Sequence, residues 1–309
     1  MGAAGARRPT GHALVLVFAV ALSVNPEAGA SHGGWPGAGN GLSGHWRQVR
    51  ASEPRWCVRC SVGVGATTTI IGVSLEKVRA SYDAVAARYA DEVEDELVGK
   101  PLDRALLGCF AELVTGGDGP SAGASVVPGG DRLVADVGCG FGHVTAYLAE
   151  LGVSMLGVDL APAMIDQARR RYPRIRFAVG SMLALPAADN AWAGAICAYS
   201  IIHLTAAQRR VAFAELGRVV EPGGWLLVGF HVSDGERISG GVLHIDRWWD
   251  HQVDLDFSFL APEVVADELT DGGWSVQTRV VREPYSGVEH QSRRAYLLAQ
   301  RPQAPSQRQ

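Results

Sequence analysis

The run Leu133-Val134-Ala135-Asp136-Val137-Gly138-Cys139-Gly140-Phe141-Gly142 decides how this chain is read. It opens as a short apolar strand broken by a single acid. It then turns through three glycines at alternate positions and continues from 143 to 151 as a helix. An apolar strand of this kind belongs in a sheet covered on both faces. Glycines in the turn let the backbone bend tightly and approach a ligand with no Cβ in between. In an open α/β sheet such a turn lies at the carboxyl edge, where ligands bind.

The same rhythm runs outward from this point. Strands are predicted over 153–158, 175–179, 192–199 and 225–230. Helices fall between them, one starting at Pro162 and running through Arg171 and one over 206–220. The turn Glu221-Pro222-Gly223-Gly224 is expected to precede the fifth strand. Upstream, Val78, Tyr82, Val85, Ala86 and Tyr89 recur at helical spacing, 102–114 reads as a second helix, and 115–131 is a Gly/Pro/Ser-rich linker. Downstream come a helix over 262–271 and strands over 274–283 and 294–299. Those two strands form a hairpin, so the last must run antiparallel to its neighbour. The expected fold is α/β: a doubly wound, mostly parallel seven-stranded sheet with an antiparallel last strand and helices on both faces.

Asp159 ends the second strand, where a carboxylate can accept hydrogen bonds from the vicinal hydroxyls of a ribose. The glycine spacing then separates cofactors. A dinucleotide fingerprint is G-x-G-x-x-G, whereas this loop is G-x-G-x-G with Asp136 two positions before its first glycine. An acid there repels a pyrophosphate and suits a cationic amino-acid group. Ribose, adenine and an ammonium without phosphate describe S-adenosylmethionine. Glycines that serve the turn alone, and a nicotinamide oxidoreductase, are the competing readings.

Four segments in order (VADVGCGFGHVTAYLA, GVDLAPAMIDQAR, VGSMLALPAADNAWAGAICAYSIIHL and ELGRVVEPGGWLLVGF) resemble the class I, seven-stranded S-adenosylmethionine-dependent methyltransferases of the small-molecule type, over roughly 75–301. The resemblance implies that Asp136, Gly138, Cys139, Gly140 and Gly142 surround the methionine part of the cofactor, and that Asp159 binds the ribose. Leu160 and Met164 would lie against the adenine, with Ser181 and Met182 near its amino group. Ala198, Tyr199 and Ser200 would face the reactive methyl. Ala161 stands where a capping serine is usual in that family, so the helix after Asp159 is expected to lack a cap.

Methyl transfer needs a base when the acceptor arrives protonated. His203, beyond the fourth strand, is the candidate catalytic residue, and a structural histidine is the alternative; His231, ending the fifth strand, reads the same way. Tyr82 and Tyr89 on the leading helix, and His244, Trp248 and Trp249 in an insertion over 232–260, are candidates to cover the acceptor; the two tryptophans could equally just pack the insertion. A cofactor-binding module without turnover is the alternative to an active enzyme.

Composition bounds the partners. The 309 residues carry a formal charge of −4, with Lys77 and Lys100 the two lysines. That balance argues against a nucleic-acid binder and for a small-molecule acceptor. Residues 1–73 form a Gly/Ser/Pro-rich extension, 74–302 the expected catalytic domain and 303–309 a tail. Arg7-Arg8, the apolar run 13–24 and Ala28-Gly29-Ala30 look like a secretory signal, too short to span a membrane. A spurious upstream start is the other reading, and it fits the cytoplasmic setting that the cofactor implies. Cys57 and Cys60 form a lone CxxC without the further ligands a zinc site needs. Neither the oligomeric state nor the choice among O-, N- and C-methylation follows from the sequence.

Overall fold

The computed structural model describes residues 75–116 and 132–303. The described residues all belong to one compact unit. The signal-like segment, Cys57, Cys60 and most of the linker lie outside them.

Seven strands form one sheet in the order β3-β2-β1-β4-β5-β9-β8. They are β1 (Val134–Val137), β2 (Met155–Asp159), β3 (Arg176–Val179), β4 (Trp192–Ala198), β5 (Val220–Asp234), β8 (Ser275–Arg282) and β9 (Ser292–Gln300). The first five pair in parallel, and β9 inserts antiparallel between β5 and β8. This is the expected fold class, including its antiparallel last strand.

Strand periodicity sorts the side chains into two cores. Ala135, Val137, Ala195, Cys197, Leu226, Val228 and Phe230 face one side, where Phe213 and Leu216 of α5 (Ala206–Val219) and Leu269 of α6 (Pro262–Asp271) meet them. Val134, Ile196, Leu227 and Tyr296 face the other, against Leu107 and Phe110 of α2 (Pro101–Thr115) and Leu148 of α3 (His143–Glu150). Asp136 therefore points to the second side, an acid on a strand whose four residues are all buried.

Two features differ from the sequence reading. Residues 221–224 are not a turn before β5. The strand runs through them as a bulge, with Trp192 opposite Val220 and Gly194 opposite Trp225, and Gly223 at φ +84° absorbs the extra residues. The insertion after β5, to which the sequence reading assigned no elements, is ordered as well. It holds β6 (Val242–Trp248) and β7 (His251–Ser258), a separate two-stranded antiparallel sheet. Val253, Leu255 and Phe257 alternate inward from β7 and join the main core.

The first helix, α1 (Leu75–Val93), lies against β7 and against α4 (Pro162–Arg171). No described helix is long and apolar enough to cross a membrane. Among the described residues no group of His, Cys, Asp and Glu is placed to hold a metal ion.

Candidate cofactor and acceptor site

A cavity opens at the carboxyl edge of β1, β2, β4 and β5, roofed by α1 and the β6–β7 sheet. The glycine loop forms its floor. Gly138, Gly140 and Gly142 all have positive φ, at +82°, +54° and +88°. A Cβ on Gly138 would meet the Ser200 Cβ at 2.3 Å, and Ser200 itself donates to the Val137 carbonyl at 2.9 Å. The end of β4 is thereby tied to the end of β1. A Cβ on Gly140 would meet nothing within 4 Å, so this glycine borders open space.

The two acids sit on either side of that loop. Asp136 is buried and accepts from the Thr145 hydroxyl at 2.7 Å. Burial pushes its carboxyl up to about 6, with the Thr145 hydrogen bond pulling the other way. Asp159 accepts the Gly140 N–H through Oδ2 and the Ala161 N–H through Oδ1, both at 2.8 Å. Each oxygen keeps a lone pair for a hydroxyl. Burial raises this carboxyl as well, opposed by those backbone hydrogen bonds.

Ligand-shaped space, a desolvated acid wanting a cation and a second acid with spare lone pairs fit the ammonium and ribose of S-adenosylmethionine. Leu160, Met164, Met182 and Ser181 line the same cavity beyond Asp159. The Ser181 oxygen accepts the Leu183 N–H at 3.2 Å. Cys139 lines it too, its thiol raised well above its ordinary value by burial.

Ala198, the last residue of β4, and Tyr199, just past it, reach the cavity. Tyr199 has φ +57°, a strained conformation for an aromatic residue, and its hydroxyl lies 2.6 Å from that of Tyr296. Its ring tilts onto His231 at 5.0 Å. His231 is buried with Nδ1 2.7 Å from the Ser292 hydroxyl, and burial lowers its pKa far below the usual imidazole range.

His203 is held from both ends. Its Nδ1 lies 2.8 Å from the carbonyl of Asp256, so that nitrogen carries the proton. Its Nε2 then accepts from the Tyr82 hydroxyl at 2.9 Å. Burial brings its pKa down to about 4. The ring is neutral, and its one basic lone pair is already engaged.

Tyr82, Tyr89 and Trp248 also line the cavity and pack edge to face, with centroids 5.5 to 6.1 Å apart. Three expected residues stand elsewhere. Gly142 caps α3, and a Cβ there would strike the Phe177 ring at 2.8 Å. His244 is an exposed side chain paired with Asp256 at 2.8 Å. Trp249 sits in the β6–β7 turn, stacked on Trp248 and under the Arg88 guanidinium.

The cavity also brings in residues that the sequence reading passed over: Glu96, Lys100, Asp103, His143, Arg294 and Tyr296. His143 follows the glycine loop directly, and its Nε2 lies 3.0 Å from the Glu96 carboxylate. That placement was available from sequence. The others come from α2, its preceding turn and β9, and no local motif marks them.

Residues 134–224 match a family model described as a methyltransferase domain. With the O-methyltransferase cnsE of Penicillium expansum the chain shares 29% identity over 119 residues, 36% of this chain and 42% of that protein. With the demethylmenaquinone methyltransferase of Renibacterium salmoninarum it shares 33% over 102 residues, 33% of this chain and 41% of that protein. The chain thus spans about two fifths of the length of these curated relatives. The 1,6-didemethyltoxoflavin-N1-methyltransferase of Burkholderia thailandensis, solved with 1,6-didemethyltoxoflavin and S-adenosylhomocysteine, superposes with a TM-score of 0.54 at 18% identity, covering 79% of this chain and 93% of that one. The strand order is that of the class I methyltransferase fold, and residues 134–224 within it are similar to a methyltransferase domain.

Proposed function

We propose that this chain transfers a methyl group from S-adenosylmethionine to a small-molecule acceptor. The carrying observation is the arrangement of Asp136, Gly140 and Asp159: a desolvated acid, a loop bordering open space and a carboxylate with lone pairs to spare. The cofactor supplies an activated methyl on a sulfonium, displaced in line by the acceptor. The chain's own task is alignment, worth several kcal/mol of the barrier. Asp136 would hold the ammonium and Asp159 the ribose hydroxyls. Tyr82, Tyr89 and Trp248 exclude water above the reacting atoms. His203 serves as a positioning residue that fixes Tyr82 in that roof, in place of the general base suggested by its position in the sequence. A cytoplasmic setting follows from the cofactor.

A second reading, a cofactor-binding module without turnover, is favoured by one observation: His203 and Tyr82 are engaged with each other. Calorimetric titration with S-adenosylmethionine, S-adenosylhomocysteine and NAD tests the site. Binding of the first two but not NAD is expected; NAD binding alone overturns the assignment. Radiolabelled methyl appearing in any acceptor then excludes the module without turnover.

A further inference from the structure

The acceptor end of the cavity contains charges that methyl transfer in general does not require. Lys100 is 1% exposed and lines the cavity with its Nζ 6.0 Å from the Tyr199 ring; Arg294 is 3% exposed with its guanidinium carbon 5.8 Å from the same ring. Burying two cations beside one tyrosine is costly unless something uses them.

Three acids share the region, and each is already matched. Glu289 meets Lys100 and Arg294 at 3.2 Å and also pairs with Arg282. Asp103 pairs with Arg282 at 2.9 Å and accepts the Tyr296 hydroxyl. Glu96 lies between Lys100 and His143. Arg294 still has an Nε with no hydrogen-bond partner among the described residues. With Arg282 counted, three cations meet three acids, yet at two neighbouring rings Lys100 and Arg294 weigh more than the acids. After burial, the largest influence depressing the His231 pKa is the positive charge of Arg294, with Lys100 acting in the same direction and Glu96 opposing them last. At Tyr199 the pull of Arg294 and Lys100 comes ahead of the push of Asp103.

Resting on the methyltransferase reading above, we propose that the acceptor is an oxygen acid on a flat aromatic frame, a carboxylate or an ionised phenol or enol, whose anionic oxygen is received beside Tyr199 by Lys100 and Arg294. The aromatic walls supply the frame's contacts, and the two cations supply the charge. An amine acceptor would meet like charge and is disfavoured. The oxyanion forms the new O–CH3 bond as the S–CH3 bond breaks, and that bonding pair returns to sulfur, leaving a neutral thioether. The acceptor's proton has gone to solvent before binding, so no protein base is required. This agrees with His203 being neutral and engaged.

The test uses four probes of one shape: 2-naphthoate, 2-naphthol, 2-naphthamide and 2-naphthylmethylamine. Each is titrated into the protein saturated with S-adenosylhomocysteine. Failure of S-adenosylhomocysteine itself to bind would sink the methyltransferase reading and is seen separately. The expected result is binding by naphthoate, flat with pH, or by naphthol, strengthening as it ionises; either identifies the oxygen source. Arg294→Gln is expected to weaken that binding on the order of thirtyfold while S-adenosylhomocysteine affinity holds. Arg294→Lys should retain most of it, which separates lost charge from misfolding. The proposal is overturned if the amine or amide binds as well as the acids, or if none of the four binds. It is also overturned if Arg294→Gln instead abolishes S-adenosylhomocysteine binding, because the cations would then serve the cofactor's own carboxylate.

Discussion

The carboxylate of Asp83, on α1, accepts the backbone N–H of Ala163 in the first turn of α4 at 2.9 Å. Ala161 stands where the resembled family has a capping serine, so the sequence led us to expect an uncapped helix. The helix is capped all the same, from eighty residues away in sequence. The bond also fixes α1, which carries Tyr82 and Tyr89, to the element that follows Asp159. Asp83→Ala is expected to cost about 1 kcal/mol, read from the urea midpoint, and to weaken S-adenosylmethionine binding. Asp83→Asn keeps a side-chain oxygen and should restore most of both. An unchanged cofactor affinity in Asp83→Ala would show that α1 docks independently of this cap.

The glycine loop gives a paired prediction. Gly138→Ala meets both a positive φ and the Ser200 side chain, so it is expected to lower stability and cofactor binding together. Gly140→Ala meets no protein atom within 4 Å and bears the φ penalty alone, about 1 kcal/mol. Its methyl group enters the ligand's space. Gly140→Ala should therefore fold, with a melting temperature slightly below wild type, yet lose most S-adenosylhomocysteine binding by calorimetry. Normal binding by that variant would show that the cofactor does not approach this loop.

What could be read from sequence and what could not differ for a physical reason. The strand–helix alternation and the Asp136–Asp159 pair were legible because each depends on contiguous residues: an apolar strand, a glycine turn, an acid at a strand end. Even the β6–β7 sheet left a signal, the alternation of Val253, Leu255 and Phe257, though we read that stretch only as an insertion. Lys100, Asp103 and Arg294 were invisible. They meet because α2 covers the face of the sheet to which Arg294 and Tyr296 of β9 point, and no spacing in the chain encodes that meeting. The roles of His203 and His231 were undecidable for the same reason, since their partners Asp256 and Ser292 lie 53 and 61 residues away.

The Tyr82–His203 bond sets apart two roles for the histidine. Its folded pKa is depressed to about 4, while the unfolded chain titrates near 6.5. Between those values the unfolded state takes up a proton that the folded state refuses, so this residue makes the protein less stable as pH falls from 6.5 toward 4. His203→Gln should flatten that part of the stability–pH curve. Tyr82→Phe leaves Nε2 without its donor and should cost about 1–3 kcal/mol. For a positioning residue, both variants raise the acceptor KM more than they lower kcat. A collapse of kcat in His203→Gln with KM unchanged would restore the general-base assignment.

Asp136 makes the opposite contribution. Its folded pKa is raised to about 6 against an unfolded value near 3.8, so the folded state prefers the protonated acid. The stability this provides is complete below pH 3.8 and is lost as pH rises through 6; above that the buried carboxylate is a liability of up to about 3 kcal/mol. Asp136→Asn removes the charge and keeps an oxygen for the Thr145 hydroxyl. In the cofactor-free protein at pH 7.5 that variant should melt higher than wild type, and its advantage should shrink as pH falls below 6. It should also lose the stabilisation that S-adenosylmethionine gives the wild type, because the ammonium no longer meets a carboxylate. The same ammonium must drive the proton off Asp136 in the wild type. Calorimetry at pH 6 in buffers of different ionisation heat should therefore show release of roughly half a proton per cofactor bound. A cofactor heat independent of buffer at pH 6, with Asp136→Asn binding normally, would place the ammonium elsewhere in the cavity.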